Sequence, residues 1–540
     1  MINICMCLNK PALLDINPNT LPSEECELLV AGSGCAGMMA AIHAACTADV
    51  LLVTKGSLED SNTAKAQGGI AVPVEGNDDF RSHIKDTLIS GKGLCSEEIV
   101  NEYIRSAPQV FEKLLGYGVR FDRDEGEKLL FAQEGGHSRA RIVRANGDAT
   151  GAEVSRAFIR EVKRNERIRC SPHTFVVDLL KVGRRVTGAV LFNRKKKKLS
   201  RVLAKAVVIA SGGAGRVYRE TSNPMTATGD GLAAALRAGA VLQDMEFIQF
   251  HPTTLYIAGS SRLLISETLR GEGGRLIDRH GNRFMGDYSD QMELAPRDVV
   301  SRAIIQHLKK YGGTHVFLDL THLEGEFVKN RFPWIYNECL NFKIDISADR
   351  IPVHPAAHYT IGGIRVDKNG CTDMEGLFAC GEACSNSFHG ANRLGSNSLL
   401  EAAVGGMKAG EAAGAYVQKT DIYTGSADIR KDDVMKHTGA IDIQDSLVSL
   451  QSEMWRSTGI ERNFEGLNTS WGRINFWSGY ILGRTFRSPE GWELQNILQI
   501  SKTIVKSAVN RTESRGAHFR EDYPETDDGR WKVHTCLTGE

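Results

Sequence analysis

The segment from Leu28 to Val53 constrains the fold more than any other. An apolar run, Leu28-Leu29-Val30-Ala31, enters the turn Gly32-Ser33-Gly34-Cys35-Ala36-Gly37; a small-residue stretch from Met38 to Thr47 follows, then a second apolar run, Val50-Leu51-Leu52-Val53. Strand, glycine turn, helix and strand in that order make a βαβ unit of dinucleotide-binding type. Gly32 permits the tight turn, Gly34 lets backbone approach a pyrophosphate, Gly37 allows close helix–strand packing, and the helix N-terminus faces the negative charge. A glycine turn alone is weak evidence, and its place between strand and helix gives it weight. The second strand ends in Thr54-Lys55, where an NAD site usually has an acid for the ribose hydroxyls, so an ordinary NAD site is disfavoured.

The same pattern returns twice. Ala206-Val-Val-Ile-Ala210 runs into Ser211-Gly-Gly-Ala-Gly215, and Gly376-Leu-Phe-Ala-Cys-Gly-Glu382 repeats the strand-to-glycine transition. Residues 174–210 read as hairpin strands, with the basic run Arg194 to Lys198 at a turn as a solvated loop tip. Between about His251 and Pro352 helix and strand signals mix, which implies an inserted domain. Beyond Gly425 come amphipathic helices with Met454, Trp455, Trp471, Phe476 and Trp477. The expected architecture is therefore α/β: a Rossmann-like domain made of 26–251 and 352–424, an inserted α+β capping domain at 252–351, a C-terminal helical domain at 425–540, and an N-terminal extension at 1–25.

Composition narrows the function. With 540 residues, two or three domains are expected. Lys+Arg and Asp+Glu each total 66, so no excess charge points to nucleic acid or an anionic membrane. The twelve cysteines form no Cys-x-x-Cys, and Cys5/Cys7 and Cys380/Cys384 are the close pairs, which disfavours zinc and iron–sulfur sites. Scattered thiols in a large chain fit a reducing compartment. There is no signal-type start and no apolar run of 18 residues, and the expectation is a cytoplasmic protein without a membrane span.

Residues 389–401, His-Gly-Ala-Asn-Arg-Leu-Gly-Ser-Asn-Ser-Leu-Leu-Glu, set Arg393 before small hydroxyl and amide groups that open an apolar segment. A guanidinium there can grip a carboxylate while the following N–H groups face a ring. With the Gly32–Gly37 turn, this stretch resembles the L-aspartate oxidases of the fumarate reductase and succinate dehydrogenase flavoprotein superfamily, from about residue 27 to about 534. The resemblance implies an FAD enzyme acting on L-aspartate, which gives iminoaspartate, with oxygen (yielding hydrogen peroxide) or fumarate (yielding succinate) as acceptor. It also implies a place on the route to NAD, with hand-off of product to quinolinate synthase.

The resemblance assigns residues as follows. Ser61-Asn62-Thr63-Ala64-Lys65-Ala66-Gln67-Gly68-Gly69 is similar to the segment that wraps FAD; relatives with covalent flavin have a histidine there, whereas no histidine lies between His43 and His83, so noncovalent FAD is implied. Asp230, Glu382, Ser398 and Leu399 match FAD-contacting positions, with two plainer roles open: Asp230 as a helix N-cap and Ser398 as a first-turn hydroxyl. Lys55 has two readings, a contact to the adenosine part or a solvated lysine. His251, Ser266, His358 and Arg393 match the carboxylate-binding positions, Ser266 standing where threonine is usual. Arg297 matches the proton-transfer arginine, with a relay through Asp298 or Glu272; a purely electrostatic clamp is the alternative, since arginine is a poor acid. Glu134, in Gln133-Glu-Gly-Gly-His-Ser138, matches the position that separates aspartate oxidases from succinate-oxidising relatives, because a carboxylate attracts an ammonium group; an exposed loop acid is the plainer reading. The competing function is a flavoprotein subunit of a succinate dehydrogenase or fumarate reductase complex.

Overall fold

The structure is a computed structural model that describes residues 2–5, 12–74, 78–258, 262–426 and 441–538, with backbone alone for 2–5. The Cys5/Cys7 pair therefore falls outside the described side chains, as do all of the first eleven residues of the 1–25 extension.

The main sheet is built on the βαβ unit. Strand Ser23–Ala31 lies between Val50–Val53 and Lys198–Ile209, all parallel, and Ile168–Ser171 extends the sheet beyond Val50–Val53. Register pairs Val30 with Leu52 on one side and with Val208 on the other, so a row of fully buried apolar side chains crosses the sheet, as expected for strands covered on both faces. The hairpin Thr174–Val182 and Arg185–Asn193 joins the first half of Lys198–Ile209, while Leu377–Ala379 pairs with its end.

The crossover helix spans Cys35–Ala44, three residues earlier at each end than the small-residue stretch suggests, because the turn already closes at Gly34. It packs on the long helix Asn397–Val417. Small residues make this possible: a Cβ on Gly406 would lie 2.4 Å from the Ala36 carbonyl oxygen, and one on Gly410 2.4 Å from that of Ala40. Gly32 is in the left-handed region (φ 122°), and a Cβ there would meet the Ala210 oxygen at 2.1 Å. These contacts bring the N-termini of both helices to one cleft.

The inserted unit is α+β, a four-stranded antiparallel sheet in the order Ile248–Leu255, Ile351–Thr360, Val316–Asp319, Arg275–Ile277, packed with helix Arg297–Tyr311 and three shorter helices. It has its own core, including Ile265, Leu276, Val300, Ile304 and Leu318. The expected boundaries at 251/252 and 351/352 fall inside two paired strands, because those strands carry the chain between units without a loop. Residues 259–261 of this unit lie outside the described set.

The C-terminal region is helical, as expected, and closes on a strand. Helices Ile443–Ser457, Phe464–Ile481 and Pro489–Asn510 place Met454, Ile474 and Ile497 in the same core as Leu232 and Leu236 of helix Asp230–Ala238. The chain then ends in strand Thr535–Thr538, which pairs with Leu242–Gln243 and with Ile2–Cys5. Four residues are too few to show a period-two pattern in the sequence. Strand Ser23–Ala31 likewise starts before the expected 25/26 boundary.

Candidate active site

A cleft of about 1480 Å³, counting its open mouth, runs along the ends of the parallel strands, where ligands of open α/β sheets bind. Gly32, Ser33, Gly34, Cys35 and Ala36 line it at one helix start; Ser398 and Leu399 line it at the start of the other; Lys55, Asn62, Thr63, Lys65, Ala66, Asp230, Glu382 and His358 complete the set used below. Gly37, Ala64, Gln67, Gly68 and Gly69, expected beside the cofactor, do not line it. Gly37 is pressed against the Gly32 carbonyl and Gly69 against that of Val143, so both serve backbone packing; Gln67 donates to the Leu264 carbonyl at 2.5 Å; and Gly68 faces Glu134.

The donor set fits a flavin dinucleotide. At one end, Lys55 Nζ lies 2.6 Å from Asp230 Oδ2 and 3.0 Å from Glu493 Oε1, so Lys55 is a paired cation and not a solvated one. Asp230 is the first residue of its helix, after Gly229 in the N-cap position, and its other oxygen accepts from Asn496 Nδ2 at 2.8 Å. Farther along, Asn62 Nδ2 donates to Glu382 Oε2 at 2.9 Å, and the Thr360 N–H donates to Glu382 Oε1 at 3.0 Å. Burial pushes the Glu382 carboxyl pKa up. Ser211 Oγ lines the cleft, buried without a hydrogen-bond partner, a free polar atom facing ribityl- or phosphate-sized space. Two helix N-termini add oriented N–H groups.

Beyond the cleft lies a closed, charged cluster. Arg393 is 3% exposed; its Nη2 donates to Gln249 Oε1 at 3.0 Å and its guanidinium carbon sits 4.4 Å from the centre of the Tyr359 ring. Arg393 Nε has no hydrogen-bond partner. Burial, then the nearby Arg297, brings its pKa down to about 10. Arg297 opens helix Arg297–Tyr311, donating from Nη1 to the same Gln249 oxygen at 3.2 Å and from Nε to Glu267 Oε2 at 2.6 Å. The relay expected through Asp298 or Glu272 is not formed: Asp298 accepts from Asn392 and Glu272 from Arg331. Glu267 takes that place, with Arg270 Nη2 3.4 Å from its other oxygen.

His251 and His358 stack edge to face at 5.2 Å between ring centres. Both have pKa values well below the ordinary range: burial is the main cause for each, reinforced by Arg297 at His251 and by Arg393 at His358. They are neutral hydrogen-bonding groups. Ser266 is the N-cap of helix Glu267–Gly271, accepting from the Thr268 N–H and lying 3.0 Å from the Thr268 hydroxyl. Its oxygen is thus engaged in capping, and Thr268, which sequence reasoning passed over, carries a hydroxyl 3.4 Å from Glu134 Oε1.

Glu134 is 5% exposed, so the exposed-acid reading is excluded. Its Oε2 accepts from Ser396 Oγ at 2.7 Å. A Cβ on Gly395 would lie 2.9 Å from Glu134 Oε2, 3.2 Å from Glu267 Oε2 and 3.3 Å from Arg297 Nη2, so the three charged groups converge on one point. Burial, then the Glu267 charge, pushes the Glu134 pKa up. Burial acts the same way on Glu267, but Arg297 and Arg270 outweigh it and the net shift is downward. Gln249, Tyr359, Arg270, Thr268 and Ser396 had no signal in the sequence apart from neighbouring motif residues. Among the described residues no group of three His, Cys, Asp or Glu side chains is placed to hold a metal.

Comparison with known proteins gives the family. The model of the FAD binding domain matches residues 27–399, and that of the fumarate reductase flavoprotein C-terminus matches 488–540. L-aspartate oxidase of Yersinia pestis is 39% identical over 513 residues, covering 92% of this chain and 96% of its own, and that of Streptomyces coelicolor is 38% identical, covering 95% and 91%. Among solved structures, a variant of the E. coli quinol fumarate reductase FrdA chain superposes with a TM-score of 0.90 at 32% identity, covering 96% of this chain and 94% of that one. Similarity of this extent, along nearly the full length of both partners, places the chain in the L-aspartate oxidase family of FAD-binding flavoproteins.

Proposed function

We propose that the chain binds FAD noncovalently in the cleft and oxidises L-aspartate to iminoaspartate, with oxygen, reduced to hydrogen peroxide, or fumarate, reduced to succinate, as acceptor. Bound FAD supplies the two-electron hydride chemistry. A noncovalent cofactor is supported by the segment in which relatives carry the tethering histidine: here it reads Asn62-Thr63, and Asn62 is spent on a hydrogen bond to Glu382.

Arg393, with neutral His251 and His358, holds carboxylate groups of the substrate. Its buried, unpaired charge is suited to an anion that fills the guanidinium fork. Oxidation removes a hydride from C2 and a proton from nitrogen, and a C2=N bond forms. Glu134 holds the ammonium group, and its raised pKa suits it to take that proton. In fumarate reduction one alkene carbon receives hydride and the other a proton; Arg297 is placed to deliver the proton, which solvent restores, and Glu267, 2.6 Å from its Nε, holds the guanidinium in place. Iminoaspartate is an imine and hydrolyses in water, which favours its direct uptake by a quinolinate-forming enzyme. No described helix is long and apolar enough to cross a membrane.

The observation that carries the reading is Glu134: a buried carboxylate converging with the Arg297–Glu267 pair, where a diacid without an ammonium group offers it no partner. Glu134→Gln is expected to lower kcat/KM for L-aspartate by about 30-fold or more, the cost of removing one side of a buried charge contact being about 2 kcal/mol or above, while fumarate reduction is kept or rises, glutamine standing in for the neutral acid. Equal losses on both substrates would count against it.

A further inference from the structure

We propose that His137 is a positioning residue for substrate selection: its fixed tautomer holds the Gly395 carbonyl and, through the Ser396 hydroxyl, sets where the Glu134 carboxylate meets the substrate ammonium group. The inference rests on the reading of Glu134 given above.

The tautomer follows from the neighbours. His137 Nδ1 is 2.9 Å from Arg141 Nη1, and a guanidinium only donates, so Nδ1 accepts. His137 Nε2 is 2.9 Å from the Gly395 carbonyl oxygen, which only accepts, so Nε2 carries the hydrogen. Arg141 is fully buried and locked by Asp78, 2.7 Å from Nε, and by Asp86, 2.6 Å from Nη1. The imidazole can neither flip nor change tautomer without breaking a charge-assisted contact. Burial holds its pKa down at about 4, so it stays neutral at ordinary assay pH.

What the imidazole holds is strained. Ser396 has φ 57°, a left-handed conformation that costs a non-glycine residue about 1 kcal/mol or more and persists where surrounding contacts over-determine it. The pinned Gly395 carbonyl is one such contact. The result is a Ser396 Oγ that donates to Glu134 at 2.7 Å. His137 also belongs to the turn that carries Glu134: its N–H donates to the Glu134 carbonyl at 3.1 Å, and Gln133 Nε2 donates to the His137 carbonyl at 2.8 Å. By contrast, Arg297 and Arg393 are held by Glu267, Gln249 and Tyr359. The clamp common to both diacids does not depend on His137, whereas the ammonium-sensing acid does.

The test uses the FAD-loaded full chain and compares kcat/KM for L-aspartate oxidation with that for fumarate reduction. His137→Asn offers an acceptor in place of Nδ1 and no donor in place of Nε2; His137→Gln restores the donor. His137→Asn is expected to lower the aspartate-to-fumarate ratio at least tenfold, mainly through KM for aspartate, with His137→Gln within about threefold of wild type. Ser396→Ala, which cuts the far end of the same chain of contacts, is expected to match His137→Asn and decides the matter if the latter does not fold. A ratio that stays at the wild-type value in His137→Asn or Ser396→Ala, or falls equally in His137→Asn and His137→Gln, overturns the proposal. Glu134→Gln separates the two levels: if it too leaves the ratio unmoved, the reading of Glu134 fails and takes this inference with it; if it moves the ratio while the Ser396 and His137 variants do not, the positioning role alone fails.

Discussion

Arg393→Met sets stability against function in a way that follows from the burial of the charge. The guanidinium is 3% exposed and pairs with no carboxylate among the described residues; it leans on an amide oxygen and a tyrosine ring. Its pKa falls from the usual range above 12 to about 10, and at about 1.4 kcal/mol per pH unit the folded, ligand-free protein carries a penalty of roughly 3 kcal/mol for keeping it charged. The sign is that of a base with a depressed pKa: the penalty is present in full at neutral pH and is relieved only as pH rises through about 10. Methionine has similar bulk and no charge. Gln249 Oε1 keeps Arg297 as a donor, so no acceptor is orphaned. Against this stand the lost ring contact, about 2 kcal/mol when desolvated, and one hydrogen bond. The melting midpoint is therefore expected to hold or to rise by up to about 3 °C, taking about 2 cal/mol/K of unfolding entropy per residue. Activity moves the other way: losing a buried charge contact to a carboxylate costs about 2–5 kcal/mol, or roughly 30-fold to several thousandfold in kcat/KM for aspartate and fumarate alike. The assay is thermal unfolding with and without saturating fumarate, beside steady-state kinetics. Fumarate should raise the wild-type midpoint by binding the folded state and leave that of the variant in place. A midpoint several degrees lower in the variant, with fumarate still stabilising it, would refute the view of Arg393 as an anion-binding charge.

Arg297→Gln is expected to reduce fumarate reduction by about a thousandfold or more while aspartate oxidation with oxygen falls far less, since general acid catalysis contributes about 10²–10⁴ and only fumarate needs a proton on carbon; equal losses in stopped-flow measurements of the two half-reactions would point to a purely electrostatic clamp. Acid precipitation is expected to release all the flavin into the supernatant, and a yellow pellet would contradict noncovalent binding. Because Glu134 must be ionised to hold an ammonium group and its pKa is raised, kcat/KM for aspartate should fall as pH drops through a value above the usual carboxylate range. Fumarate affinity should strengthen over the same interval; parallel pH profiles for both substrates would exclude Glu134 as the titrating group.

The parts of this molecule that were legible in the sequence are those in which chemistry is local. The turn Gly32–Gly37 announces itself because strand, glycines and helix adjoin, and the Arg393 stretch because a cation stands beside small residues that open a helix. The rest depends on distance along the chain. Lys55 is paired with Glu493, and Asp230 with Asn496, contacts that only the packing of the C-terminal helices creates. Gln249 and Tyr359 are uncharged and unremarkable until two arginines are seen to share the one amide oxygen and one arginine to rest on the ring. The Ser266 hydroxyl has the type a ligand position needs, but its second task, accepting from the Thr268 N–H as an N-cap, shows only once the short helix after it is placed. The capping boundaries at 251/252 and 351/352 lie within paired strands, which carry no loop signal in the sequence.

Charge balance ties these residues to a choice of substrate. Arg270, Arg297 and Arg393 face Glu134 and Glu267 in one buried cluster, with His251 and His358 neutral, so the cluster carries one net positive charge when both acids are ionised. L-aspartate, with two carboxylates and an ammonium group, brings one net negative charge and neutralises it. Fumarate brings two, and leaves an excess negative charge in a low-dielectric site unless an acid takes up a proton. Glu267 cannot readily do so, since two arginines hold its pKa down; Glu134 can, because burial and Glu267 hold its own up. On the proposed reading of Glu134, one carboxylate serves two substrates in different protonation states, ionised against an ammonium group and neutral beside a dianion. The opposite pH trends for the two diacids follow from that difference, and a hydrophobic residue at 134 could neutralise the site for a dianion but not for an amino acid.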